Sequence, residues 1–97
     1  MNEDMIVKFL AEIVDWRMKF VEFDPINDIR HAWMVENAIA KMHYTKKNKY
    51  VWELEKLVRR ENGIFGLFKI AHAAPKTRCI AATRALATDE QVEGFGL

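Results

Sequence analysis

Cysteine, proline and glycine are scarce in this chain, and each shortage removes a class of answer. The single cysteine, Cys79, cannot form an internal disulfide. The fold is therefore no disulfide scaffold, and the reducing cytoplasm is the expected compartment. Two prolines and four glycines in 97 residues leave few forced turns and no low-complexity tract. No apolar run approaches the roughly 20 residues that span a bilayer, so no membrane role is expected. The opening stretch, MNEDMIVKFL, is acidic where a secretory signal is basic. No P-loop, Gly-rich phosphate motif, helix-turn-helix signature or paired-carboxylate motif is present. What remains is a length suited to one small domain, with a modest core.

Charge is plentiful and unevenly placed. Residues 1–40 carry four Lys/Arg against eight Asp/Glu, residues 41–84 carry eleven against three, and the last thirteen carry none against three. The overall net of +1 thus hides segments of −4, +8 and −3. The acidic and basic parts either neutralise each other in the fold or leave the basic one for a partner.

Hydrophobic spacing predicts the elements. Ile6, Phe9, Leu10, Ile13 and Trp16 or Arg17 follow i, i+3, i+4, i+7 spacing, an amphipathic first helix capped by Asn2 or Glu3. Pro25 breaks the pattern. A second helix starts at Asn27 or Asp28 and puts Ile29, Ala32, Trp33, Val35, Ile39 and Ala40 on one face, with Glu36 among them. A carboxylate in an apolar stripe needs a partner, expected here as a basic residue from a sheet, unless Glu36 marks a partly open face used in recognition. A short strand around Met42–Lys46 would turn at KKNK. Tyr50, Trp52 and Leu54 alternate as in a strand, and Asn62-Gly63 is a strong hairpin signal. Tyr50, Val51, Leu54, Leu57 and Val58 also fit a helix with Gly63 as its C-cap, but the strand is the preferred reading, with a bulge near Lys56. Ile64–Ala71 supplies the third strand. Pro75 opens a last helix to about Ala87, whose alanines keep it thin enough to lie close to a sheet. The expected fold is α+β: an α/β/α sandwich with a small antiparallel meander, in the order α-α-β-β-β-α, over residues 1–88. Residues 89–97 are expected as a flexible tail.

INDIRHAWMVENAIAKM, YVWELE and IAHAAPKTRCIAATRAL together resemble the phage ABA-sandwich domain family. The matching positions are Trp16; Ile29, Ala32, Trp33 and Val35; then Ala71, Ala73, Ala74, Pro75, Cys79, Ile80, Ala81 and Ala82. Glu36, where the family favours an apolar residue, and the very basic KKNK turn depart from its pattern. The resemblance implies an α/β sandwich and a phage or prophage setting inside a host cell, with no reaction to transfer.

Catalytic and metal readings are weak. His72 precedes Cys79 by seven residues, but Cys79 lies on the apolar face beside Ile80, where cysteine packs as a small hydrophobe. His31, His43, His72, Cys79 and Glu36 lack the close spacing of a zinc motif. No cofactor, metal or catalytic residue is expected. The interaction signal is basic: Lys41, Lys46, Lys47, Lys49, Tyr50, Lys56, Arg59 and Arg60, with Tyr44 and Trp52 interleaved. The expected function is non-catalytic binding to a host or phage protein complex, of the kind an anti-CRISPR inhibitor performs. The alternative is nucleic-acid binding through the basic-aromatic turn. A homodimer through exposed Phe or Trp residues is left open.

Overall fold

The computed structural model describes residues 1–16, 22–62 and 67–97; for residues 61, 62, 67 and 68 only the backbone enters. The described residues form six helices and no strand. They are α1 (Glu3–Ile13), α2 (Ile29–Ala40), α3 (Tyr44–Asn62), α4 (Leu67–Ala71), α5 (Pro75–Leu86) and α6 (Asp89–Gly94). The α/β sandwich and its meander are therefore replaced by an all-helical bundle.

The helix ends follow local chemistry. Asn2 accepts a hydrogen bond from the Met5 N–H and caps α1, and Asp28 does the same for α2 through Arg30. Past α1, Asp15 has a φ of 53°. The Asp15 and Trp16 N–H groups bond back to Glu12 and Ala11, closing the helix in a Schellman turn. His43 caps α3 with its ring, Nδ1 lying 3.3 Å from the Thr45 nitrogen. Pro75 opens α5, and Thr88 with Gln91 forms a capping box on α6.

The central correction is α3. Met42 and His43 lie in the turn after α2, KKNK lies within α3, and the expected strand Tyr50–Arg60 is helical. Of the third expected strand, Leu67–Ala71 is α4 while residues 64–66 lie outside the described residues, as does Gly63. The physical reason is composition and period. Lys, Glu, Leu and Arg dominate 46–60 and are strong helix formers. Tyr50, Glu53, Leu54, Leu57 and Val58 are buried, at i, i+3, i+4, i+7 and i+8. Alternation survives only over Tyr50, Trp52 and Leu54, and Trp52 is exposed while its supposed face-mates are buried.

Helix α5 is the axis of the bundle, touching α1, α2, α3 and α6. Ala81, Ala82 and Ala85 are buried on it, so neighbouring backbones approach closely. The thinness expected to suit a sheet serves helix packing instead. Ile6 and Leu10 of α1, Val35 and Ile39 of α2 and Leu54 and Val58 of α3 complete one core. Trp16, Phe23 and His31 form a ring cluster beside it, with centroids 4.8–5.6 Å apart. The stretch expected as a tail is α6, followed by buried Phe95, whose ring lies 5.6 Å from that of Phe9.

Two substitutions separate helix from strand. Leu54→Ala, at a side chain 2% exposed, is expected to lower stability by about 2–5 kcal/mol in urea unfolding. Trp52→Ala, at 56% exposure, should cost about 1 kcal/mol or less. Equal losses at both positions would restore the strand.

Candidate functional site

The site begins with one buried cation. Arg78 lies on α5 among small residues and is 6% exposed. Its Nε donates to the Ala73 carbonyl at 3.0 Å, and its Nη2 donates to the carbonyls of Ile70 at 3.1 Å and Ala71 at 2.7 Å. The guanidinium thus serves the last carbonyls of α4, where a cation also opposes the negative end of the helix dipole. Its Nη1 donates to Glu36 Oε1 at 2.8 Å. The same oxygen accepts from the Tyr50 hydroxyl at 2.7 Å. Burial, then the hydrogen bond and charge of Glu36, hold the Tyr50 phenol far above its ordinary pKa, with Arg78 opposing them. Glu36 therefore has the basic partner the sequence demanded, from α5 rather than from a sheet.

Above this network lies a cleft between α2 and α3 of about 210 Å³, lined by Glu36, Ile39, Ala40, Lys47, Tyr50 and Val51. Glu36 is the hinge between the two regions: its side chain remains 33% exposed while one oxygen is committed below. The lining is otherwise apolar, apart from Lys47 and the Tyr50 hydroxyl.

The outer face of α3 is different in kind. At 3.6 residues per turn, Asn48, Trp52, Glu55, Lys56 and Arg59 lie on the side opposite Tyr50, Leu54 and Leu57, with Lys49 and Arg60 at its edge. All seven are exposed or half-buried. The Lys56 ammonium sits 3.8 Å from the Trp52 ring centroid and 3.2 Å from Glu53 Oε1. Tyr44, 61% exposed, stands at the start of the helix. The fold thus gathers Lys49, Lys56, Arg59 and Arg60 on one face. Lys47 belongs to the cleft, and Lys46 lies toward the other edge of α3. Lys41 is remote from them, at the end of α2 beside Val14, Asp15 and Met34. Tyr50 belongs to the core and its hydroxyl network. Arg78 was missed by sequence reasoning, although a lone arginine amid Thr, Cys and Ala was its available signal.

Cys79 is buried, and its thiol donates to the Pro25 carbonyl oxygen at 3.1 Å, tying the loop before α2 to α5. Burial, reinforced by the charge of Asp24, pushes the thiol up to about 12. His72 lies on the exposed stretch before α5. His31 Nδ1 accepts the Asp24 N–H at 2.9 Å, which serves the backbone of that same loop. Among the described residues no three His, Cys, Asp or Glu side chains are grouped to hold a metal. Nor is any described helix long and apolar enough to cross a membrane.

Comparison with known proteins adds no relative: no family model, curated protein or solved structure matches the chain. The resemblance to the phage ABA-sandwich family is thereby overturned, since no family model matches and the described residues lack the sheet that such a fold requires. The phage setting and the anti-CRISPR comparison lose the support they drew from it. The motif positions that suggested it serve helix packing: Ala32, Val35, Cys79, Ala81 and Ala82 are buried in the bundle.

Removing Arg78 should be severe, because Glu36 and three backbone carbonyls lose a donor together. Arg78→Ala is expected to cost about 3–5 kcal/mol in urea unfolding, and Arg78→Lys should recover part of that, with fewer donors and no planar fork. A loss below about 1 kcal/mol would mean the network is ornamental.

A raised thiol pKa has a defined sign. The folded state favours the neutral thiol, so this contribution is complete below the unfolded value near 9.0 and disappears as pH climbs toward about 12. At pH 8 the native thiol should resist a disulfide reagent, with labelling tracking global unfolding as denaturant is added. Fast labelling of the folded protein would contradict the burial.

Proposed function

We propose that this chain is a non-catalytic binding module of the cytoplasm that holds single-stranded nucleic acid on the outer face of α3. Two kinds of group support the reading and occur together there. Lys49, Lys56, Arg59 and Arg60 offer cations to a phosphate backbone, and Trp52 offers a flat surface on which a base can stack. The observation that carries it is the exposed Trp52 ring, more than half accessible and accompanied by the Lys56 ammonium at 3.8 Å. A large indole held at the surface of a charged face gains nothing from water, whereas a base covers it.

The electrostatics favour a long anion over a small one. The cations run along the helix from Lys49 to Arg60, about 16 Å at 1.5 Å per residue, instead of converging on one point. A strand of several nucleotides meets such a row; a single phosphate does not. The cytoplasmic reading draws its support from the lone cysteine, a free and buried thiol.

The test is fluorescence titration with an oligothymidylate at two salt concentrations. Four phosphate contacts predict a slope of log affinity against log salt near −3, from about −0.7 per contact on single strands. Trp52→Ala should weaken binding by about 5- to 150-fold, the worth of one stacked base, and Lys49→Glu with Arg60→Glu should flatten the salt slope. No binding at low salt would end the proposal, and tighter binding of duplex than of single strand would remove the stacking role of Trp52.

A further inference from the structure

The loop ahead of α2 is held by a ring nitrogen that only an unprotonated imidazole offers. His31 lies in the first turn of α2, and its side chain is 12% exposed. Its Nδ1 accepts the Asp24 N–H at 2.9 Å, so the single ring proton sits on Nε2. Nε2 in turn faces the Asp28 carboxylate, with Oδ2 at 3.9 Å. The Trp16 and Phe23 rings flank the imidazole, their centroids 5.2 and 5.6 Å away, and fix its plane. Within the loop, the Asp28 N–H donates to the Asp24 carbonyl at 2.9 Å and the Asn27 amide to the Asp24 carboxylate at 3.1 Å. Those bonds are local. The loop is tied to the bundle by His31 on α2 and by the Cys79 thiol on α5, which donates to the Pro25 carbonyl at 3.1 Å. Phe23, Pro25 and Ile26 are buried along the same stretch.

We infer that His31 is a proton-operated latch: the neutral ring holds the loop from Phe23 to Asp28 on the bundle, and the imidazolium releases it and uncovers Cys79. The reason is a count of lone pairs. A neutral imidazole has one acceptor nitrogen; the protonated ring has none, both nitrogens being donors. A proton on Nδ1 therefore sets two N–H groups against each other where a hydrogen bond stood. Turning the ring over brings no remedy, because a C–H then takes the place of Nδ1. The two sides of the ring respond in opposite directions. At Nε2 the new charge strengthens the attraction to Asp28, which caps the same helix. At Nδ1 the Asp24 N–H is repelled. The ring stays with α2, and the loop leaves.

The charged and titratable groups that meet here come from three helices and the loop. Asp28 and Arg30 belong to α2, Asp24 to the loop and Cys79 to α5. Glu3, Asp4 and Lys8 of α1 line the outer side of the loop, together with Glu22 and Asp24. From the end of α1 the imidazole meets the uncharged Trp16 ring, which Asp15 precedes in sequence. Two of these groups keep one form throughout the window of about pH 5 to 8 in which a histidine ordinarily changes charge. The Arg30 hydrogen bond holds the Asp28 carboxyl down to about 2. Burial, with the charge of Asp24, pushes the Cys79 thiol up to about 12. Asp28 is thus a carboxylate and Cys79 a thiol on both sides of the switch. No residue of α3 takes part, so the latch stands apart from the nucleic-acid reading.

The experiment uses the full chain between about pH 7.5 and about pH 5. Long-range proton–nitrogen NMR reads the His31 tautomer, and a pyridyl disulfide, which reacts in acid as well, reads access to Cys79. Each labelling rate is divided by that of a short cysteine peptide at the same pH. Nδ1 should be bare at the upper pH. On acidification the relative rate should rise about 5- to 150-fold, the equilibrium worth of one orphaned backbone donor, while the helical circular dichroism holds. His31→Asn, whose Oδ1 replaces Nδ1 as an acceptor that takes no proton, should keep the rate flat. His72→Asn, at an exposed position, should leave the rise in place. A proton on Nδ1 at the upper pH, a flat relative rate in the native chain or a rise that survives His31→Asn overturns the inference. So does a rise that comes only with loss of the helical signal, because the whole bundle is then opening.

Discussion

The bundle depends on how one buried guanidinium is satisfied. Taking Arg78 out of water is expensive, and an unpaired charge in that position would cost more than the helices around it gain. The chain answers with four hydrogen bonds from one side chain: three to backbone carbonyls near the end of α4 and one to Glu36. The last carbonyls of a short helix lack the bonds of its interior; Ile70 accepts the Ala73 N–H, and Arg78 serves both Ile70 and Ala71, so a need at α4 and a need at α5 cancel. Planarity matters here. A guanidinium reaches several acceptors at fixed angles from one anchor, which an ammonium on a flexible stem does not.

From that point the geometry propagates outward. Arg78 fixes Glu36 on α2, and Glu36 fixes the Tyr50 hydroxyl on α3, so three long helices are set against each other by shared polar atoms. Apolar packing alone tolerates sliding by a turn; a bond from Tyr50 to Glu36 does not. The alanines of α5 complete the arrangement by letting the surrounding helices approach. Specificity of register thus comes from the polar network and closeness from small residues, each doing what the other cannot.

Much of this was legible in the sequence, but not the part that decided the fold. The first two helices, their caps at Asn2 and Asp28 and the start of α5 at Pro75 follow from periodicity and capping chemistry, and the structure has them. The demand that Glu36 find a basic partner was also legible, from a carboxylate in an apolar stripe. Its identity was not, because Arg78 lies 42 residues away and nothing local pairs the two. For α3 the error has a physical source. Tyr50, Trp52 and Leu54 alternate, and Asn62-Gly63 suits a hairpin, so two short-range signals favoured a strand. They were outweighed by a longer one, the i, i+3, i+4, i+7, i+8 burial from Tyr50 to Val58 backed by Lys, Glu and Leu propensity. That misreading also carried the basic cluster onto a sheet surface, where Tyr50 seemed exposed. On a helix Tyr50 turns inward and Trp52 turns out.

The same turn explains why the positive charge of the middle segment is left for something else. The acidic first helix and the basic third helix both pack on α5, and among the described residues they make no contact with each other. Glu36 with Arg78 and Glu3 with Lys76 join the acidic segment 1–40 to the basic segment 41–84. Both use cations of α5. The basic segment, at +8, outweighs the acidic one, at −4, so positive charge remains even where such pairs form. A fold that needed only solubility would intersperse the signs along each surface. Here the helical phase of α3 gathers Lys49, Lys56, Arg59 and Arg60 around an exposed indole, and the phase that does so is the one fixed by the Tyr50 hydroxyl.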